Sequence, residues 1–305
     1  MAVSPESFAF VADLVRRRSA IQLAPGKEYL VESRLLALAR ADGFPDVDAY
    51  VTSVRSGAKE SEYVRVVEAL TTNETSWFRD SGPFSALRSY VVPEVMASRG
   101  PGTRLKVWSA ACSTGQEPYS IAMTLADCLP HGVTADILAT DLSEQVLAKA
   151  REGRYSQLEV NRGLPAAMLV RHLTRSGAEW QVSQELRGLV TFRAHNLLDT
   201  PPAGGPFDVV FLRNVLIYFD LATKKAILER LRRVIRPDGV LVLGSAETTI
   251  GVDDAWVRIP VGGGSVYRPT RPLPATAPSS APLSTVPQPR STSRELPVLT
   301  RGATR

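Results

Sequence analysis

Cysteine is almost missing from this chain: Cys112 and Cys128 are the only two in 305 residues. Two thiols cannot form the disulfide framework that supports small secreted domains. The three histidines, His131, His172 and His195, lie too far apart in sequence to read as a zinc ligand set, so no metal is expected. Long apolar runs are also absent; nothing approaches the ~20 residues that cross a bilayer. The start, MAVSPESFAFVADLVRRR, lacks the charged, apolar, small-residue order of an export signal. A cytoplasmic protein without membrane insertion is therefore expected. What the chain has in quantity is apolar side chains, at 44%, which suffices for a large core over about two domains.

The formal charge of +5 raises the question of a nucleic-acid partner. From residue 270 onward, however, five arginines stand against Glu295 alone, so most of the excess sits in the tail and the body is nearly neutral. No nucleic-acid partner is expected. That tail, 270–305, holds seven prolines and no aromatic residue. Such a composition buries too little apolar surface to offset the entropy of ordering, and disorder is expected there.

Residues 1–84 read as a helical domain. Leu30, Leu35, Leu36 and Leu38 fall at helical spacings in a segment that Pro25-Gly26 precedes and Gly43 closes, and Asp46 is placed to cap the next helix. From Leu105 the texture changes. LKVWSA, ADILATD, LVTFRAH, FDVVFLR and GVLVLGS alternate with helical patterns, which predicts a doubly wound parallel sheet over residues 85–269. AWVRIP and SVYRP, separated by Gly262, Gly263 and Gly264, predict a closing hairpin and a terminal antiparallel strand. Residues 154–189 are too long for a βα connection and predict an inserted subdomain of short strands and one helix.

Ligands of open parallel sheets bind beyond the carboxyl ends of the strands. The first such end, Ser109-Ala110-Ala111-Cys112-Ser113-Thr114-Gly115-Gln116-Glu117, has small residues that let a ligand approach. It lacks the glycines of a pyrophosphate cradle and the lysine of a P-loop. The second ends in Asp141, whose carboxylate suits ribose hydroxyls or, equally, a helix cap. The third delivers Asn196-Leu197-Leu198-Asp199, suited to an adenine edge and face, and the fourth Arg213-Asn214 and then Tyr218.

Asn73-Glu74-Thr75-Ser76-Trp77-Phe78-Arg79-Asp80, Cys112 to Ser120, Ala139-Thr140-Asp141, Asn196 to Asp199 and Arg213-Asn214-Val215-Leu216-Ile217-Tyr218-Phe219-Asp220 occur in the order found in one family. In these motifs, over about residues 5–269, the chain closely resembles the CheR-type chemotaxis receptor methyltransferases. The resemblance implies a class I methyltransferase-like sheet that binds S-adenosyl-L-methionine and releases S-adenosyl-L-homocysteine. It further implies methylation of glutamate side chains on cytoplasmic chemoreceptor helices by a monomeric protein-glutamate O-methyltransferase. Carried over by position, it implies cofactor contacts at Asn73, Thr75, Arg79, Glu117, Asp141, Asn196, Leu197, Arg213 and Asn214. Arg79 and Tyr218 would then lie nearest the transferred methyl. Gln116 stands where the family usually has an acid, and Trp77 where a Phe is common, so an altered charge beside the methionine end and a preserved aromatic wall are expected. The inserted segment corresponds to a β-subdomain that in some members grips a receptor's C-terminal peptide.

A glutamate carboxylate, with an ordinary pKa near 4.3, is ionised at neutral pH, so such a transfer needs positioning rather than a base. This accounts for the lack of a Ser-His-Asp set. Two competing readings are a methyltransferase for another acceptor and a non-catalytic module that senses S-adenosylmethionine. Base methylation is disfavoured because Pro201-Pro202 are followed by Ala203 rather than a stacking aromatic. For an acidic receptor bundle, Arg55, Lys59 and Arg65 are candidate docking charges.

Overall fold

In the computed structural model, which describes residues 3–99 and 102–270, the amino-terminal region is a group of four helices. They are α1 (Pro5–Ser19), α2 (Glu28–Ala41), α3 (Val47–Arg55) and α4 (Glu60–Leu70). Each starts or stops where local chemistry dictates. Ser4 caps α1, accepting from Ser7 N, with Pro5 at the first turn, and Asp46 caps α3 by accepting from Ala49 N at 2.8 Å. The buried seam of α2 is Val31, Leu35 and Ala39, four residues apart, while Leu30, Leu36 and Leu38 flank it. Tyr50, Val51, Val54, Val66, Val67 and Leu70 complete this core. The expected tail lies, from residue 271, outside the described residues.

The helical reading of the first 84 residues does not hold throughout: residues 71–81 are irregular. The loop carries Phe78 at φ 46° and Asp80 at φ 54°, left-handed backbone incompatible with a continuing helix. After it come α5 (Gly82–Ala86), a π-helical turn Leu87–Val91, and α6 (Val92–Arg99). Pro93 lies in this rod; its ring clashes with the preceding turn, and the wider π-turn just before it relieves that conflict.

The sheet strands and their helices follow as β1 (Arg104–Ala110), α7 (Gln116–Cys128), β2 (Thr134–Asp141) and α8 (Glu144–Glu152). The insertion comprises β3 (Arg154–Ser156), α9 (Gln157–Asn161), α10 (Ala166–His172), β4 (Leu173–Ser176), β5 (Glu179–Val182) and α11 (Gln184–Gly188). The chain returns through β6 (Val190–Ala194), β7 (Phe207–Leu212), α12 (Leu221–Val234), β8 (Ile235–Leu243), β9 (Trp256–Val261) and β10 (Gly264–Pro269). The large sheet runs β6-β2-β1-β7-β8-β10-β9, and the insertion adds a separate antiparallel sheet β3-β5-β4. Strands β6 to β8 of the large sheet are parallel, whereas β10 is antiparallel to β8 and β9. This is the mixed α/β class expected, with its terminal antiparallel hairpin, helical amino-terminal part and small β insertion.

Burial follows the topology. All six residues of β7 are buried, because helices cover both faces of a parallel sheet. Register then aligns the strand ends: Ala110 faces Thr140 and Leu212, Asp141 faces Ala194, and Leu212 faces Leu243. The residues that follow these five strands therefore emerge at one edge. Chain order reverses between β1 and β7, the switch point where such sheets open a crevice.

The opposite edge is closed by a buried ion pair. Asp208, 1% exposed, accepts from Lys106 N at 2.7 Å and pairs with Arg99 and with Arg236 Nε at 3.0 Å, joining α6 to three strands. Asp208→Asn leaves Arg236 without an acid among the described residues and Arg99 with Asp238 alone, and should lower stability by about 3 kcal/mol in urea denaturation. Because the crevice lies at the other end of the strands, affinity for a crevice ligand should be unchanged.

Candidate active site

At the switch point lies a partly open cleft of about 910 Å³, open solvent at its mouth included. The interdomain loop 71–81 and the ends of β1, β2, β6 and β7 wall it. Every expected site residue lines this one cleft: Asn73, Thr75, Arg79, Glu117, Asp141, Asn196, Leu197, Arg213, Asn214 and Tyr218.

The floor is the turn after β1. Ala111 (φ 62°), Ser113 (φ 50°) and Gly115 (φ 95°) alternate through left-handed backbone, which small residues tolerate best. Gly115 is required for space as well, since a Cβ there would lie 2.9 Å from both Ala150 Cβ and the Tyr155 hydroxyl. The turn is pinned by Asp141, whose Oδ2 accepts from Ser113 N at 2.7 Å and whose Oδ1 accepts from Ser143 N at 3.1 Å. Asp141 is not the cap of α8; Ser143 is, through its own hydroxyl. Burial raises the Asp141 pKa from its ordinary value, partly offset by backbone amide bonds. With four lone pairs on its two oxygens, the carboxylate can still accept from a further donor.

Glu117, in the first turn of α7, accepts from Ser109 Oγ at 2.8 Å and pairs with Arg213 Nη1 at 2.9 Å. Arg213 also donates through Nη2 to the Arg79 carbonyl at 2.5 Å and to Asp80 Oδ2 at 3.2 Å, and its guanidinium lies 5.6 Å from the Phe84 ring centroid. Its side chain is 1% exposed. Arg213 is thus a clamp between α7 and the interdomain loop, rather than a free cation in the cleft. Only its Nε is buried without a partner among the described atoms. Arg79, by contrast, is half-buried and donates only to its own loop, to Glu74 O at 3.2 Å; among the described residues it has no acidic partner within 4 Å.

Three expectations are corrected in detail. Asn196 borders the cleft, but its Nδ2 donates to Arg18 O at 2.7 Å and its Oδ1 accepts from Leu198 N at 3.0 Å, so its amide clasps the end of α1. Trp77 does not wall the cleft. It is 1% exposed and its ring packs edge-on against Tyr155 at 4.9 Å, while its backbone N–H donates to Arg162 O, tying the loop to the insertion. Gln116 likewise turns inward, 3% exposed, with its Oε1 accepting from Thr114 Oγ1, so it changes no charge in the cleft. The proposed docking charges are also largely spent: Arg55 pairs with Glu6, and Arg65 with Asp42 and Glu62, leaving Lys59 exposed.

Glu247 was not anticipated. It is buried beyond β8 and accepts from Asn214 N at 2.7 Å, Val215 N at 2.9 Å and Gly244 N at 2.8 Å. An acid in the polar run GSAET carries no spacing signal, and only the fold brings it to the loop after β7. Cys112 is buried, and its thiol pKa is pushed up chiefly by burial, as suits a packing residue of the turn.

These residues fit S-adenosylmethionine. A buried carboxylate with spare lone pairs suits ribose hydroxyls, Glu117 beside the small-residue turn suits an ammonium, and Arg79 suits a carboxylate. Comparison with known proteins agrees with this. Residues 73–260 match the family model described as CheR methyltransferase, SAM binding domain, and residues 6–71 match CheR methyltransferase, all-alpha domain. Chemotaxis protein methyltransferase Cher2 of Pseudomonas putida is 40% identical over 254 residues, spanning 81% of this chain and 92% of that protein. Chemotaxis protein methyltransferase 1 of Pseudomonas aeruginosa is 39% identical over 279 residues, 88% of this chain and 99% of the other. The Chemotaxis protein methyltransferase of Escherichia coli is 38% identical over 255 residues, 81% and 86% of the two chains. With both family models matched and the cleft furnished as a nucleoside site, the chain belongs to the CheR methyltransferase family.

Proposed function

We propose that this methyltransferase esterifies glutamate side chains on the cytoplasmic helices of chemoreceptors, in the cytoplasm. The observation that carries this reading is the convergence, in one cleft, of a buried acid that can still accept (Asp141) and a cation with no acidic partner among the described residues (Arg79), in a chain of this family. S-adenosylmethionine supplies a sulfonium-activated methyl that an ionised carboxylate can take in one in-line displacement, so no residue has to remove a proton.

The residues present are suited to that economy. Asp141 and Glu117 hold the ribose and ammonium ends, and the backbone turn from Ala111 to Gly115 sets the depth of binding. Arg79 orients either the methionine carboxylate or the acceptor carboxylate, and Tyr218, in the short 3₁₀ turn Leu216–Tyr218, offers its hydroxyl to the acceptor. The loop 71–81 walls this end of the cleft. Acceleration then comes from proximity and orientation.

Removing the ribose partner should tell on binding. Asp141→Ala is expected to weaken S-adenosylhomocysteine by about 1.5–3 kcal/mol in calorimetry, the worth of charge-assisted hydrogen bonds. The ionised form of Asp141 accepts from the ribose hydroxyls, and its pKa is raised by burial. Wild-type affinity should therefore be flat at neutral pH and fall on acidification sooner than an ordinary carboxylate would dictate, and Asp141→Asn should abolish that fall. The acceptor chemistry is tested by incubating the protein with methyl-labelled S-adenosylmethionine and receptor cytoplasmic fragments, followed by mild base. Volatile label released by base is the expected result. Base-stable label would refute a carboxyl ester, and tight binding with no label on any fragment would favour a sensing module.

A further inference from the structure

We propose that Glu247 is a positioning residue for methyl transfer: its carboxylate fixes the loop after β7 in the one backbone conformation that presents Asn214 and Tyr218 to the cleft. Three observations support this.

First, one buried carboxylate receives three backbone N–H groups from two different loops. Oε2 takes Asn214 and Gly244, and Oε1 takes Val215. Bonds from neutral amides to a carboxylate are stronger than amide-to-carbonyl bonds, and three on one group leave it little rotational freedom. Its own N–H donates to Gly244 O at 3.0 Å, so the carboxylate is itself held in place.

Second, the residue it grips is conformationally unfavourable without it. Asn214 sits at φ 58°, in left-handed backbone, two residues past the end of a strand whose six residues are extended and buried. Asparagine tolerates this region better than most residues, yet it still costs free energy that the surroundings must supply. With its N–H and that of Val215 anchored, the turn at Leu216–Tyr218 is directed toward the segment after α1, where the Tyr218 carbonyl accepts from Gln22 N at 3.1 Å. Glu247 thus holds one end of the segment that bears Tyr218, and the helical domain holds the other.

Third, Gly244 closes the same knot. A Cβ there would lie 2.7 Å from Glu247 Oε2, 2.8 Å from Asn214 Nδ2 and 2.9 Å from Asn214 N. Glycine is required because the carboxylate and the Asn214 amide come this close, not for any special φ of its own. A methyl at 244 is therefore an independent wedge into the clasp that leaves Glu247 chemically intact.

The cofactor arm of the test rests on the family's S-adenosylmethionine binding, and the turnover arm also rests on the proposed acceptor. Glu247→Ala, Glu247→Gln and Gly244→Ala are compared with wild type. Calorimetric affinity for S-adenosylhomocysteine is measured for each, and kcat and KM are normalised to the fraction of sites that bind. Glu247→Gln can keep the two bonds at one oxygen but sets an NH2 against the third amide, so an intermediate effect is expected. Glu247→Ala and Gly244→Ala should lower kcat by about tenfold or more per binding-competent site, the scale of misplacement in the active site, with KM for the acceptor changed less. A weaker S-adenosylhomocysteine affinity, in the same order across the three variants, should accompany it. A merely structural role would lower the melting temperature and the binding-competent fraction while leaving kcat per competent site at the wild-type value. That outcome, with unchanged ligand affinity, overturns the proposal. If wild type shows no turnover on receptor fragments, the acceptor reading fails while the affinity series still decides on the clasp.

Discussion

The guanidinium of Arg213 is the interaction on which the site depends. It leaves the end of β7, reaches Glu117 in the first turn of α7, and donates to the carbonyl of Arg79 and to Asp80 in the loop that joins the two parts of the chain. A planar fork can satisfy these directions at once, as a lysine could not. Burying it is costly unless each charge is answered, and here two carboxylates and a carbonyl answer it. The loop is therefore drawn over the strand ends, and the cleft has a roof as well as a floor.

The other walls follow from simpler constraints. Parallel pairing in register brings the five strand ends to one level, and reversal of chain order between β1 and β7 parts the connections there. Small residues after β1 accept the left-handed turns that Asp141 then pins. The insertion contributes from outside: Tyr155 donates to Thr114 O at 2.8 Å, and Arg162 pairs with Glu74 at 2.7 Å. Gly163 leaves room for the Trp77 carbonyl, which would be 2.2 Å from a Cβ. The subdomain thus braces the loop that Arg213 pulls inward.

Much of this was legible in the sequence, for physical reasons. Alternation of β-rich runs with amphipathic segments identified the sheet, because two-sided burial leaves continuous apolar strands such as FDVVFL. The strand-end rule then pointed to Asp141, Asn196 and Arg213. What could not be read was the direction of each side chain. Trp77 and Gln116 belong to motifs that border the cleft yet point away from it, and Asn196 spends its amide on a carbonyl 178 residues earlier. Irregular loops were equally opaque: residues 71–81 follow four helices and are polar enough to pass for a fifth. Glu247 gave no signal at all, since three backbone amides from two loops meet it only after folding. Arg55 and Arg65 looked available because their acids lie on other helices or three residues away, and exposed pairs of that kind carry little weight in sequence.

Arg213 holds the cleft together rather than merely facing it. The direct measurement is calorimetry of S-adenosylhomocysteine with Arg213→Lys, whose fold is checked by circular dichroism. A lysine keeps the charge but not the fork, so affinity should fall by about tenfold or more with the secondary structure retained. Wild-type affinity in that variant would contradict the central claim.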